Sequence, residues 1–208
     1  MNGCSHTQLG SGFPNDEDGW TFLLAKKYPL FLERKSEDSI MGKVRRANYS
    51  KNGSSNKRIW RTTLDYVYDN NEDKIKETLF IIQWTYVYRN ENYIDGWKKN
   101  YFEYDRDWKR TSDESWKYII TLQNLFKSMG LKYIMFEGDI DPRMAPDGNK
   151  SLDWDSRYVK YIDMKYFFKD GIMNTAGDRK TECGHANEEA NKEWSDKLYN
   201  FLQGVGYE

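Results

Sequence analysis

Three residues drawn from the two ends of the sequence carry the side chains of an acyl-transfer triad. Ser5 lies in NGCSHT (2–7), and Glu182 and His185 lie in ECGHANEE (182–189). A serine hydroxyl is a weak nucleophile at its free pKa. It needs a base within hydrogen-bond reach, and the base needs an orienting group. His185 is one of 2 histidines; the other, His6, adjoins Ser5 and is poorly placed to point at its neighbour's hydroxyl. Glu182 precedes His185 closely enough along the chain to hold an imidazole tautomer. One serine and one histidine are a weak pattern by themselves, since motifs of this size are usually incidental. Their weight depends on the elements that would bring the two ends of the chain together.

Those elements follow from hydrophobic spacing. GWTFLLAKKY (19–28) sets Trp20, Leu23, Leu24 and Tyr28 on one helical face, after the polar loop SGFPNDED (11–18). KVRRANYS (43–50) reads as a short strand running into a loop. SSNKRIWRTTLDYVY (54–68) opens on serine caps and places Ile59, Trp60, Leu64 and Val67 on one side of a helix. ETLFIIQWTYVY (77–88) has no Gly or Pro among its strand formers and predicts a buried central strand. TSDESWKYIITLQNLFKSMG (111–130) predicts a helix, with Thr111 and Glu114 as a capping box and Gly130 as the left-handed stop. LKYIMFEG (131–138) follows as a second buried strand. In the polar loop beyond it (139–155), DGNKSLD (147–153) looks faintly like a calcium loop, but Tyr158 stands where the closing glutamate belongs. NEEANKEWSDKLYNFL (187–202) predicts a helix capped by Asn187, with Ala190, Trp194, Leu198 and Leu202 turned inward.

Helices alternating with buried strands predict an α/β fold with a mostly parallel sheet covered on both faces. The carboxyl ends of such strands collect the active residues. Ser5, Gly53, Thr85 and His185 all fall just after or between the expected elements, so they are expected at one sheet edge. The 208 residues suit one domain spanning 1–208. Within it, YIDGWKKNYFEYDRDWKR (93–110) interleaves aromatic rings with charges. It reads either as an insertion packed on the scaffold by its own rings, or as a platform for sugar faces or a lid beside the cleft.

Composition bounds the rest. Lys and Arg total 32 against 33 Asp and Glu, so no basic stripe favours nucleic acid. The short KVRR run (43–46) reads as a solvated rim. Mean hydropathy is −0.96, yet 16% of residues are aromatic, which argues against a disordered chain. No apolar run reaches membrane-span length, so no membrane partner is expected. No charged-then-apolar leader is visible, and a cytoplasmic location is expected. Two cysteines, Cys4 and Cys183, are too few for a disulfide framework and read as inert thiols, with a redox pair or a Cys4 nucleophile as the alternative.

The order of the parts carries a resemblance. NGCSHTQLGSGFP (2–14), NYSKNGSSNKRI (48–59), FIIQWTYVYR (80–89) and ECGHANEEANKEW (182–194) occur in the succession of blocks of the SGNH (GDSL-type) hydrolase family. The chain resembles more closely a divergent branch of that family common among phage-encoded proteins. The resemblance implies a three-layer α/β/α sandwich of flavodoxin-like type. Only Met1–Gly3 precede Cys4, so its first strand would be very short or truncated. It also implies Ser5 as nucleophile, His185 as base and Glu182 as the orienting acid, with the amides of Ser5 and Gly53 in the oxyanion hole.

Three positions depart from the family pattern. Cys4 stands where the family usually has Asp, Glu182 replaces the Asp of its Asp-x-x-His block with an arm one methylene longer, and QWTYVYR (83–89) lacks the asparagine that donates to the oxyanion. Thr85 and Arg89 are the two candidates for that missing donor. Asn56, Trp84 and Trp97 are candidate substrate contacts, with Asn56 read equally as an orienter of the Gly53 loop or as a helix-end partner. The implied activity is hydrolysis of a small acyl ester, such as acetyl on a glycan, through an acyl-enzyme and without metal or organic cofactor. The alternative is a non-catalytic SGNH-like binding protein. Association with a virion is expected if the chain is phage-encoded.

Overall fold

The computed structural model describes residues 1, 19–27, 54–93, 97–100, 108–138, 152–182 and 184–207. Three parallel strands organise it: β1 (Leu79–Trp84), β4 (Lys132–Glu137) and the two-residue β5 (Phe167–Phe168), in the order β1-β4-β5. The register sets Leu79 opposite Lys132 and Trp84 opposite Glu137, and Met135 opposite Phe167. A separate antiparallel pair, β2 (Asn90–Tyr93) and β3 (Trp97–Asn100), follows β1. The helices are α1 (Trp20–Lys26), α2 (Asn56–Asp69), α3 (Glu72–Lys76), α4 (Trp108–Ser128), α5 (Ile172–Ala176) and α6 (Glu188–Gly204).

The apolar runs of β1 and β4, broken in β1 only by the buried Gln83, make sense once both sheet faces are covered. After Leu79 every β1 residue is buried, and after Lys132 every β4 residue is buried. Side chains alternate between faces along each strand. Phe80, Ile82 and Trp84 of β1 join Tyr133 and Met135 of β4 in a cluster with Ile59 of α2 and Trp116, Ile119 and Phe126 of α4. Ile81, Ile134 and Phe136 point the other way, into a cluster with Trp20 and Leu24 of α1 and Ala190, Trp194 and Leu198 of α6. Met1 also packs against this second cluster.

Aromatic rings fill much of both clusters. Phe136 meets Trp194 edge-on at 5.3 Å and Trp20 at 5.7 Å, and Phe168 stacks on Phe201 at 4.7 Å. On the opposite face Phe80 meets Phe126 at 4.7 Å and Trp116 meets Trp154 at 5.0 Å. Rings offset or edge-on in this way combine large apolar area with favourable quadrupole geometry.

Local signals account for most boundaries. Ser55 caps α2 by accepting from Arg58 N at 3.1 Å, and Asn187 caps α6 by accepting from Ala190 N at 3.0 Å. Gly130 takes a φ of 65° after α4, which is the left-handed stop its position predicts.

Two expectations change. The capping box at Thr111 does not form: Thr111 lies inside α4, whose described residues run from Trp108, and its Oγ1 donates back to Trp108 O at 3.0 Å. The strand expected over 77–88 is shorter: Glu77 closes α3, and beyond Trp84 the chain turns, with Arg89 N donating to Tyr86 O at 3.3 Å. Of the aromatic segment 93–110, Tyr93 ends β2, Trp97–Asn100 forms β3 and Trp108 belongs to α4, while 94–96 and 101–107 lie outside the described residues. The strand expected over 43–50 lies outside the described residues, as does most of the loop 139–155.

The carboxyl edge of the sheet is tightly closed. Gly138 N donates to Trp84 O at 2.6 Å, and a Cβ at Gly138 would sit 2.4 Å from that carbonyl oxygen. Gly138→Ala is therefore expected to destabilise the protein by about 1–3 kcal/mol, because backbone must shift to admit the methyl. Gly204→Ala, where a Cβ meets nothing within 4 Å, is expected to be neutral or stabilising. Urea midpoints for the two variants check this pair of outcomes.

Candidate active site

The end of β1 is held by one buried side chain. Asn56, the first residue of α2, is 3% exposed. Its Nδ2 donates to Thr85 O at 3.0 Å, and its Oδ1 accepts from Thr85 N at 2.8 Å. The same Nδ2 donates to Ser115 Oγ of α4 at 2.9 Å, and Ser115 Oγ donates in turn to Thr111 O at 3.0 Å. Asn56 thus supplies Thr85 with the two backbone partners that a further sheet strand would have provided. Of the two roles open for it in the sequence, the geometry displays a clamp between the start of α2 and the end of β1. Both N–H groups of the amide are used within the protein.

Thr85 is 3% exposed, and its Oγ1 accepts from Arg89 Nη1 at 2.8 Å. The Arg89 guanidinium also lies over the Tyr86 ring, 4.6 Å from the centroid, and Tyr86 stacks on Tyr88 at 5.3 Å. The two candidates for the missing oxyanion donor are therefore bonded to each other. Trp84, expected as a substrate contact, is instead fully buried in the α2–α4 cluster. Strand alternation turns its ring into the core, not toward the edge. Trp97 opens β3 opposite Tyr93.

His185 sits in a tight turn before α6. Thr181 N donates to His185 O at 2.8 Å, Gly184 N donates to Thr181 O at 2.9 Å, and Asn187 N donates to Arg179 O at 2.9 Å. Gly184 takes a φ of 82°, a conformation that favours glycine. His185 is partly buried, whereas Glu182 is exposed. Ser5 and Gly53 lie outside the described residues, as do Cys4 and Cys183.

Asn191 ties this turn to the first helix. Its Oδ1 accepts from Trp20 N at 3.0 Å, while its Nδ2 donates to Ala186 O and Asn187 O, each at 2.9 Å. The start of α1 and the residue after His185 therefore share one buried side chain, 3% exposed. The unpaired N–H at a helix start needs such a partner, and here it comes from a residue far along the sequence.

Glu137 was not singled out by sequence, although a lone acid closing the apolar run LKYIMFE is the signal that marks it. It ends β4 and is 7% exposed. Oε1 accepts from Leu152 N at 2.8 Å and Oε2 from Trp154 Nε1 at 3.1 Å. Burial pushes its carboxyl above the ordinary value of 4.5, against those two hydrogen bonds and the charge of Lys169, which act in the other direction. Lys169 Nζ lies over the Trp154 ring at 4.1 Å.

Among the described residues no group of three or more His, Cys, Asp or Glu could hold a metal ion, and no helix is long and apolar enough to cross a membrane. In comparisons with known proteins, no family model matches this sequence, and no curated protein matches it.

Two outcomes follow. Asn56→Ala leaves the Thr85 N–H and C=O buried without their partner, and is expected to destabilise by about 2–4 kcal/mol in urea unfolding. A raised folded pKa means that the Glu137 contribution favours the fold at low pH and is lost as pH rises through that pKa. Measured against Glu137→Gln, wild-type stability should fall from about pH 4.5 upward until Glu137 is ionised, then level off. A pH-independent difference between the two proteins would contradict the burial-driven shift.

Proposed function

We propose that this chain is a serine ester hydrolase of SGNH type, built as a three-layer α/β/α sandwich and acting on a small acyl ester such as acetyl on a glycan. His185 takes the proton of Ser5 as its oxygen attacks the ester carbonyl. The amides of Ser5 and Gly53 stabilise the oxyanion as it develops. The alcohol departs with the proton held by His185, and water then cleaves the acyl-enzyme. Glu182 is the orienting acid of His185 in this reading.

The third oxyanion donor falls to the Thr85–Arg89 pair. Thr85 Oγ1 accepts from Arg89 Nη1 at 2.8 Å, which leaves the threonine hydrogen free to point elsewhere. A hydroxyl that accepts from a guanidinium is polarised and donates more strongly.

The observation that carries the reading is the Asn191 bridge. It links Trp20 N, at the start of the helix that follows the Ser5 segment, to Ala186 O, next to His185, at 3.0 and 2.9 Å. A second reading, a non-catalytic binding protein of the same descent, is favoured by the exposure of Glu182.

A fluorophosphonate probe separates the two. The hydrolase reading expects the wild type to be labelled, Ser5→Ala to lose labelling, and His185→Ala to slow it by about 100-fold or more. Absence of wild-type labelling together with no turnover of a chromogenic acetyl ester would favour the binding protein.

A further inference from the structure

Arg89 is a half-buried cation braced by a neutral hydroxyl and an aromatic ring. Buried or partly buried charges are ordinarily paired. Its hydrogen-bond partner is the Thr85 hydroxyl, at 2.8 Å, and its flat face rests on Tyr86. Among the described residues no carboxylate reaches it. The nearest strand-end acid in register, Glu137 beside Trp84, turns both oxygens to Leu152 and Trp154 instead. A guanidinium carries five N–H donors. One is used by Thr85, and stacking on a ring leaves the donor edge open.

The start of α2 lies beside this arginine's brace. Asn56 joins Thr85 to the start of α2, a helix of 14 residues with no acid in its first turn. Arg58 reaches Ser54 Oγ in that same turn at 3.3 Å. The helix dipole and the guanidinium thus act in the same direction at the carboxyl end of β1.

We propose that Arg89 is an anion-binding residue that recognises a carboxylate or phosphate group carried by the ligand. Thr85 and Tyr86 hold its fork in place, so little side-chain freedom is lost when a two-oxygen anion docks. The proposal goes beyond ester hydrolysis, because the site stands whether or not Ser5 is a nucleophile. In an esterase it would select substrates with an acidic group near the ester.

Isothermal titration of the full chain with sodium acetate and with inorganic phosphate, at constant ionic strength, tests it. The wild type should bind at least one of the two saturably, and the stronger of them identifies the anion as carboxylate or phosphate. Arg89→Gln should weaken that binding about ten-fold or more, while Arg157→Gln, at an exposed arginine elsewhere, should leave it unchanged. Arg89→Lys keeps the charge but not the fork and should fall between. If Arg89→Gln does not fold, Thr85→Val decides the matter: removal of the hydroxyl brace should weaken binding several-fold while the circular dichroism spectrum is retained. No saturable binding of either anion, equal binding by the Arg89 variants, or an equal loss in Arg157→Gln would overturn the proposal.

Discussion

A sheet buried on both faces can display polar groups only at its edges and ends. β1 and β4 meet this constraint fully, since apolar clusters cover each side of them. The carboxyl ends of the strands are where the chain leaves the core, and polar side chains gather there. Asn56 holds Thr85, Thr85 holds Arg89, and Glu137 holds Leu152 and Trp154. The Asn56 and Glu137 bonds join segments far apart in the sequence, and the Thr85–Arg89 bond closes the turn that follows β1. A buried backbone group without a partner is costly, so these side chains are as much a part of the fold as the apolar residues.

The two asparagines do parallel work on opposite faces of the sheet. Asn56 fastens α2 to the end of β1 and to α4, and Asn191 fastens the start of α1 to the turn before α6. An asparagine suits this task because one short side chain both donates and accepts. Together they stitch the helices of both faces at their starts. In the hydrolase reading these are the places where the nucleophile's segment, the oxyanion donors and the base are presented. The Arg89 and Glu137 side chains differ in one respect. Glu137 finds hydrogen bonds but loses solvent, which raises its pKa, whereas Arg89 spends a single donor, on Thr85, among the described residues.

Much of the scaffold was legible from spacing. The apolar runs of β1 and β4, the long amphipathic α4 and α6, and the caps at Ser55, Asn187 and Gly130 all lie where periodicity and capping chemistry put them. Elements that depend on distant partners were not legible. β5 is two residues long and exists because Met135 and Phe136 offer it a ladder, a fact absent from its own sequence. Thr111, which local rules read as a cap, lies within α4, and its hydroxyl donates back to Trp108 O. The candidate site divides in the same way. His185 lies in the turn before a capped helix as its sequence suggests, but the destinations of Asn56, Asn191 and Glu137 are tertiary and carry no periodic signature. Trp84 has the composition of a cleft residue, and strand parity sends it into the core.

The central claim is that the corner fastened by Asn191 unites the first and last parts of the chain as one catalytic surface. A crystal structure of the protein treated with a phosphonate ester measures this directly. The account predicts a Ser5 Oγ to His185 ring-nitrogen separation of about 3 Å, with phosphorus bonded to Ser5. A separation above about 6 Å, with no adduct on Ser5, would contradict it.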